Sequence, residues 1–464
     1  QCSWVHKDDM DKATEKSKDL LQMAVAKVAL HEPLVEPRME INQAALVIGG
    51  GVAGMTAAQT LAAQGYKTYL VEKNERLGGQ ALNLNETWQS ERVAPFLDNL
   101  ITDVISNENI EVCLNANVTG ADGFIGNFKT TIQSNGDSQV LEHGVTLIAS
   151  GAKEFKTEDY LYGRDQRVLT GLELQKKILN GDEFDSCRTA VFVQCVGSRT
   201  PARPYCSKVC CTQSIKSALS LKARNPAMDI FVLYRDLRSY GFREDLYREA
   251  REEGIKFIRY DNDKELDVRS AENGLEIAFS DRVLRRQMMV SGDLLVLASA
   301  VLPEKSNPLA QMYKVPQNED GFFTEAHVKL RPNDFATDGV FVCGLAHAPK
   351  PIEESISQAQ AAASRAVTVL AALEVSVSGT VAVVDPLCCS SCGVCVEVCP
   401  YSAPQFIENT GKAEVQATLC KGCGLCVASC RSGAIHLKGF DTGQIMAQLK
   451  SCLFDAAPAE TTFS

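Results

Sequence analysis

The sequence predicts an α/β protein of two lobes with a small α+β module near its C-terminal end. Three observations carry this: a short apolar strand running into a glycine-rich turn near residue 50, a second strand and turn near residue 340, and two cysteine quartets after residue 388. The expected boundaries are 1–40 for a helical arm, 41–152 and 301–378 for the two parts of the first lobe, 153–300 for the second lobe, 381–440 for the cysteine module and 441–464 for a tail. A chain of 464 residues, 45% hydrophobic and 23% charged, is long enough for two or three well-buried cores. Its net charge of −11 excludes nucleic acid as a partner, because phosphate binding needs a basic surface. Twelve of the eighteen cysteines fall into metal-type spacings, which predicts a reducing, cytoplasmic location rather than a disulfide scaffold. No apolar leader is visible. The apolar stretches Ala361–Leu373 and Leu294–Leu302 are too short or interrupted to insert into a membrane. The chain opens on Gln rather than Met, so an upstream segment is expected.

Met10, Ala13, Leu20, Ala24 and Val28 recur near helical spacing, and Pro33 and Pro37 end that helix. The arm is expected to lie across the next domain, with a frayed leader as the alternative. Ala44–Ile48 then reads as a buried strand feeding Gly49-Gly-Gly51-Val-Ala-Gly54, followed by a helix over 55–64 and a strand over 67–71 ending at Glu72 and Lys73. A lone G-x-G-x-x-G is weak, but here the strand, the helix and the acidic residue are all in order. Gly49 permits the turn, Gly51 lets the backbone approach a pyrophosphate, and Gly54 lets helix and strand pack closely. The phosphates take the helix N-terminus, and Glu72 takes the ribose hydroxyls. Arg76-Leu-Gly78-Gly79-Gln80 looks like the glycine pair bordering the flavin in FAD proteins. Val145 to Gly151 and Ala152 look like the segment closing the first half of an FAD domain. Phe335 to Gly344 looks like the second FAD signature, with Asp338 on the ribityl chain. A helix from Ile352 through Ala362 should aim its N-terminus at the flavin, favouring negative charge there. His347, just before it, is either a flavin contact or a loop histidine.

In the second lobe the strand Thr189–Gln194 leads not into a glycine fingerprint but into a loop holding Cys195, Cys206, Cys210 and Cys211. Cys206 and Cys210 are expected one turn apart on a helix running to Leu221. By spacing alone these thiols make either a third metal cluster or a set of buried, redox-active cysteines.

The C-terminal module repeats every 31 residues: Cys389, Cys392, Cys395 and Cys399, then Cys420, Cys423, Cys426 and Cys430. In a two-cluster ferredoxin the fourth cysteine of each run ligates the other cluster. The expected 4Fe–4S sets are therefore Cys389/Cys392/Cys395/Cys430 and Cys420/Cys423/Cys426/Cys399. Structural zinc is the weaker alternative, since it does not need a third closely spaced cysteine in each run. A hairpin should pair 403–407 with 413–417. Cys388 is left out, and Cys2, Cys113, Cys187, Cys343 and Cys452 are expected as small buried hydrophobes.

A flavin domain, the Cys195/Cys206/Cys210/Cys211 set and a terminal ferredoxin together resemble the A-type flavoprotein of heterodisulfide reductase. Local text agrees: Gln1-Cys-Ser-Trp-Val-His6, Gly123-Phe-Ile-Gly-Asn-Phe128 and Pro204-Tyr-Cys-Ser-Lys-Val-Cys-Cys211. The resemblance implies a thioredoxin-reductase-like two-lobe flavoprotein core with FAD, and three 4Fe–4S clusters, one of them atypical and bound by those four cysteines. It implies that Lys216 lies close to the flavin as the catalytic cation, the alternative being a surface lysine. The implied function is electron transfer with flavin-based bifurcation. The implied partners are a hydrogenase or dehydrogenase donor, heterodisulfide reductase B- and C-type subunits, ferredoxin and a second copy of the chain as a dimer. The alternative is a non-bifurcating subunit of a quinone- or sulfur-linked complex. Two departures stand out: the ferredoxin inserted after the first flavin segment in methanogen members is missing, and Arg431 replaces the proline that usually follows the second run.

Overall fold

Two parallel five-stranded sheets organise Ile41–Leu373 in the computed structural model, which describes residues 2–36, 38–134, 136–260, 266–272, 274–376 and 378–453. In the first sheet the order is Val340–Val342, Val145–Ile148, Ala45–Ile48, Thr68–Val71, Ile110–Cys113. Ala45–Ile48 and Val145–Ile148 are buried at every position, as strands covered on both faces must be. The helices Val52–Ala62, Val93–Ser106 and Ile352–Leu370 cover one face through Met55, Leu61, Leu97, Val104 and Ala362. An antiparallel meander (Ala116–Phe124, Asn127–Ser134, Asp137–His143) supplies Phe128, Ile132 and Leu141 to the other face.

The second lobe repeats this plan. Its sheet runs Val168–Thr170, Leu294–Ser299, Thr189–Val196, Asp229–Tyr234, Lys256–Arg259, again all parallel. The helix Gly171–Asn180 starts on a capping box between Thr170 and Glu173 and stops at left-handed Gly181. The helix Cys210–Arg224 packs Ile215, Ala218 and Leu221 against Phe192 and Val232. A meander with Leu275, Ile277 and Phe279 covers the opposite face. The chain passes between the lobes along the antiparallel pair Lys153–Glu154 and Val301–Leu302.

The residues up to Glu40 and from Glu374 onward form a separate unit. Strand Arg38–Glu40 pairs with Glu374–Ser376, which ties the two chain segments together. Helix Met10–Val28 packs on helix Thr442–Leu453, with Gln444 Nε2 donating to Leu30 O at 3.0 Å and Lys27 over the Phe440 ring. The arm therefore groups with the cysteine module, not with the domain that follows it in sequence. Pro37, expected to help end this helix, lies outside the described residues. In the module, Pro404–Phe406 pairs with Ala413–Val415 and Ala382–Val384 with Ile435–Leu437. Among the described residues no helix is long and apolar enough to cross a membrane.

Candidate flavin and iron–sulfur sites

The glycine turn is built by contact, residue against residue. Gly49 has φ +115°, and a Cβ there would run into the backbone of Ala149. A Cβ on Gly54 would overlap the carbonyl oxygen of Gly49, so the helix can lie against the turn only with glycine at both places. Gly51 has open space in front of it, which suits a close-approaching pyrophosphate. Gly78 N donates to Gly50 O at 2.8 Å, bringing the glycine pair Gly78–Gly79 alongside the turn. Gln80 Nε2 reaches Ala152 O at 3.4 Å, next to Gly151 with its left-handed φ of +75°. Glu72 is buried, accepting from Gly50 N at 2.6 Å and from Asn74 N at 2.8 Å. Lys73 lies half-exposed, 3.9 Å from Glu304. The expected first-half FAD residues converge at the carboxyl ends of one parallel sheet, where dinucleotides bind. Their glycine cradle fits FAD.

Gly344 joins them after strand Val340–Val342: its Cβ would press on Ala53 of the first helix. Asp338 does not. It precedes that strand, at the amino end of the sheet, about 20 Å along the chain path from Gly344 at ~3.3 Å per extended residue. There it meets Arg331 at 3.5 Å, in a network that includes buried Asp334 and Arg365. The ribityl role expected of Asp338 is thereby corrected: the ligand end of a parallel strand is its carboxyl end, and Asp338 stands at the other.

His347 is fully engaged. Gly344 N–H donates to Gln358 Oε1 at 3.0 Å, which turns the amide nitrogen of Gln358 toward His347 Nδ1 at 2.9 Å. Nδ1 is then the acceptor, and the Nε2–H points to Glu325 Oε2 at 2.8 Å. Burial holds this imidazole below its ordinary pKa, against the pull of Glu325. Sequence reasoning misses Gln358, Glu325 and a third group, Lys350, whose only signal is its place between two prolines ahead of the helix.

Lys350 Nζ donates to Gly344 O at 2.7 Å and Ala348 O at 3.0 Å. Burial pushes it from its usual 10.5 down to about 8. Below pH 8 it is protonated in folded and unfolded chains alike, and a cost of about 3 kcal/mol is fully present at ~1.4 kcal/mol per pH unit. Between pH 8 and 10.5 only the unfolded chain keeps the proton, so stability rises with pH. Lys350→Met removes that cost but gives up two hydrogen bonds from a charged donor, worth ~1.5–3 kcal/mol each. The variant is expected to be no more stable than wild type at pH 7, and up to about 3 kcal/mol less, and to lose the rise across this window. Chemical denaturation at both ends of the window checks this.

The second-lobe cysteines sit where strand Thr189–Val196 ends in a register shift between Val193 and Val196. The helix begins at Cys210, so Cys206 is not one turn below it on a helical face as expected. Lys208, left-handed at φ +61°, breaks the helix first, and its N–H donates to Cys206 Sγ at 3.3 Å. Cys195, Cys206 and Cys211 all act electrostatically on the buried Cys210 thiol. Hydrogen bonding between the neighbours drives Cys210 up and Cys211 down. Phe155, from the segment entering this lobe, packs against Gly197, and Arg203 lies over its ring. Two ion pairs tie this region to the first turn of helix Ile352–Leu370: Lys208 Nζ–Glu354 at 2.5 Å and Arg243 Nη2–Glu353 at 2.6 Å. Lys216, on the Cys210 helix, donates to Ser90 Oγ at 2.6 Å and pairs with Glu86 at 3.5 Å. Both partners belong to the segment following the Gly78–Gly79 pair.

In the ferredoxin module one cavity is lined by Cys389, Cys392, Cys395 and Cys430, and the other by Cys399, Cys420, Cys423 and Cys426. Each is a tetrad of thiols, three from one run and one from the other, and fits a 4Fe–4S cubane. Burial and the charges of Cys420, Cys399 and Cys423 push Cys426 up to about 11. Cluster binding must therefore release protons. Among the remaining cysteines Cys187 and Cys343 are buried as expected, Cys2 and Cys113 are only half-buried, and Cys452 is exposed because its helix buries only Gln444.

Comparison with known proteins agrees with this geometry. Residues 43–188 match the pyridine nucleotide-disulphide oxidoreductase family, and 382–431 match the 4Fe-4S dicluster domain. Thioredoxin reductases of T. acidophilum (13% identity) and Lactococcus lactis (18%) superpose with TM-scores of 0.51 over 71% of this chain and 98% or 99% of theirs, which shows the core fold. The A-type component of the H(2):CoB-CoM heterodisulfide,ferredoxin reductase of Methanothermobacter thermautotrophicus is 34% identical over 98% of this chain and 83% of its own length. That alignment runs to 552 positions against 464 residues here, so the relative carries internal segments that this chain lacks. The A-type iron-sulfur component of the CoB--CoM heterodisulfide reductase of Methanocaldococcus jannaschii is 31% identical over 97% of this chain and 83% of its own. With the flavin cradle, the paired cysteine tetrads and these relatives in hand, the chain belongs to the family of A-type heterodisulfide reductase flavoproteins, as an oxidoreductase component that binds FAD and 4Fe–4S clusters.

Proposed function

We propose that this chain is the electron-splitting component of a heterodisulfide-reductase-type complex, holding one FAD and three 4Fe–4S clusters. A hydrogenase or dehydrogenase module would deliver electron pairs to it. One electron of each pair would leave toward B- and C-type subunits and a disulfide, the other toward ferredoxin. The ferredoxin, H2 and CoB–CoM heterodisulfide in the relatives' names support that assignment. The observation that carries it is the pair of ion bridges from the Cys195–Cys211 region and its lobe to the helix closing the flavin crevice. Thiols thus occupy the loop next to the flavin helix, where a fingerprint glycine loop would otherwise stand.

Bound FAD supplies the exchange between two-electron and one-electron chemistry. The chain's own residues set its terms. The N-terminus of Val52–Ala62 and the open face of Gly51 receive the pyrophosphate. Glu72 offers a ribose hydroxyl its Oε2, which accepts from Gly50 N–H and retains a lone pair, while Oε1 is taken by the backbone and side-chain N–H groups of Asn74. Lys216 is the cation assigned to the flavin, tempered by Glu86, which also accepts from Ser220 Oγ at 2.6 Å.

The decisive experiment is to purify the chain with its native partners and supply donor, ferredoxin and disulfide. Ferredoxin is expected to be reduced only while disulfide is present. Ferredoxin reduction without disulfide, or none at all beside rapid disulfide reduction, favours the non-bifurcating reading. That second reading draws support from the internal segments missing here relative to the Methanothermobacter protein.

A further inference from the structure

Buried polar side-chain atoms without a hydrogen-bond partner concentrate at one place in this fold. Apart from Thr146 Oγ1, those among the described residues belong to Gln194, Ser198, Arg199, Arg235 and Ser299. Gln194 and Ser198 flank Cys195 in sequence, and Ser299 is the strand partner of Val196. Arg235 follows the neighbouring strand Asp229–Tyr234 and donates through Nη1 to Arg199 O at 2.9 Å. Leaving such donors unsatisfied in the interior is costly, so a fold that collects them has an acceptor for them. Gln194 is the clearest case, fully buried with neither amide atom bonded.

The charges converge on the same spot. The guanidinium groups of Arg199 and Arg235 act on Cys195, and that of Arg199 also on Cys211. Arg238 hydrogen-bonds Cys206 through its side chain and Cys211 through its backbone N–H. Asp236 is the opposing carboxylate, 3.7 Å from Arg199 and 3.3 Å from Arg238, so three guanidinium groups face one acid. Lys208 contributes its backbone N–H to Cys206 Sγ but no free charge, its ammonium being paired with Glu354. The backbone is forced as well: Cys195, Arg199 and Lys208 hold φ values of +63°, +56° and +61°, which non-glycine residues adopt at a cost that surrounding contacts must offset. The ferredoxin tetrads are served differently. Donors to the sulfurs of Cys392, Cys395 and Cys430 in one tetrad are backbone N–H groups and the hydroxyls of Ser390 and Ser432, and those to Cys420 and Cys426 in the other are the backbone N–H groups of Ala382 and Val427, all neutral. Lys412, beside the first tetrad, donates to the Cys389 carbonyl oxygen and not to a sulfur.

We propose that Arg199, Arg235, Arg238 and Gln194 form a cationic, hydrogen-bond-donating cradle around the cluster held by Cys195, Cys206, Cys210 and Cys211, and that this cradle raises its reduction potential above those of the two ferredoxin clusters. The inference rests on the third-cluster reading of the proposed function. One-electron reduction adds one negative charge to the cluster, and charge-assisted N–H···S bonds grow stronger as that charge arrives. Neutral donors gain less. Burial alone works the other way, penalising the more charged reduced state. The arginines are thus positioning and tuning groups, the N–H counterparts of an outer shell around a metal site.

The test is an anaerobic redox titration of the full chain with dithionite, followed by electron paramagnetic resonance, alongside iron and flavin analysis. Wild type, Arg199→Gln, Arg238→Gln and Arg199→Lys are compared. Each glutamine variant is expected to lower one cluster midpoint by at least about 59 mV, a tenfold change for one electron, while the other two midpoints stay put. Arg199→Lys, which keeps the charge, is expected to recover part of the shift. Should a glutamine variant shed the cluster's iron while Arg199→Lys retains it, the cradle is supported by occupancy instead. Full iron with three unmoved midpoints overturns the cradle and leaves the cluster standing. A wild-type chain with only about eight irons, two cubanes' worth, overturns the cluster reading itself.

Discussion

Cys430→Ala is expected to abolish the cluster of the other cysteine run, the one begun at Cys389, and to remove about four irons per chain. The crossed arrangement follows from two independent features. Cys430 lines the cavity of Cys389, Cys392 and Cys395, and its charge acts on Cys392, whereas Cys399 lines the opposite cavity and acts on Cys426. Combining substitutions makes the pairing measurable. Cys392→Ala added to Cys430→Ala should cost no further iron, since both ligate one cubane. Cys423→Ala added to Cys430→Ala should cost about eight irons, since they ligate two. The reverse pattern would mean that each run closes on its own cluster. Serine is avoided in these variants because its oxygen can stand in as a ligand.

The parts of this molecule that are legible in the sequence are those whose chemistry is local. The positive φ of Gly49 and the contact of Gly54 with the Gly49 carbonyl belong to one turn, and the cysteine spacings encode ligand sets within two short loops. The hairpin 404–406/413–415 is signalled by its own turn residues. What escapes depends on contacts far apart in the chain. The arm's partner is fixed by strand Arg38–Glu40 meeting Glu374–Ser376, more than three hundred residues away. Spacing puts Cys206 on a helix because nothing in Ser-Lys-Val announces that Lys208 will turn left-handed. Asp338 misleads because a strand pattern does not say which of its ends carries the ligand; only the parallel sheet does. Arg199, Arg235 and Arg238 come from two separate strand ends, and no spacing rule links them to Cys195 and Cys206.

Gly51→Ala and Gly54→Ala are expected to separate cofactor binding from folding, although the two glycines lie three residues apart. Gly51 has φ −76° and nothing within 4 Å of the space a Cβ would take, so alanine fits the empty turn. Alanine caps this helix less well than glycine, by a few tenths of a kcal/mol up to about 1, but it also restricts the unfolded chain by about 0.4–1 kcal/mol. The two effects nearly cancel. The new methyl group nevertheless stands where the pyrophosphate must approach, and a loss of one close ionic contact at about 3 kcal/mol weakens FAD by roughly 100-fold. Gly54→Ala puts its methyl group into the Gly49 carbonyl, a backbone atom that cannot rotate away, at an overpacking cost of about 1–3 kcal/mol. It should lower the melting temperature of the flavin-free chain and lose FAD as well. Flavin titration together with thermal unfolding of the flavin-free form reads both variants. If Gly51→Ala retained FAD with unchanged affinity, the dinucleotide would have to lie elsewhere than over this turn.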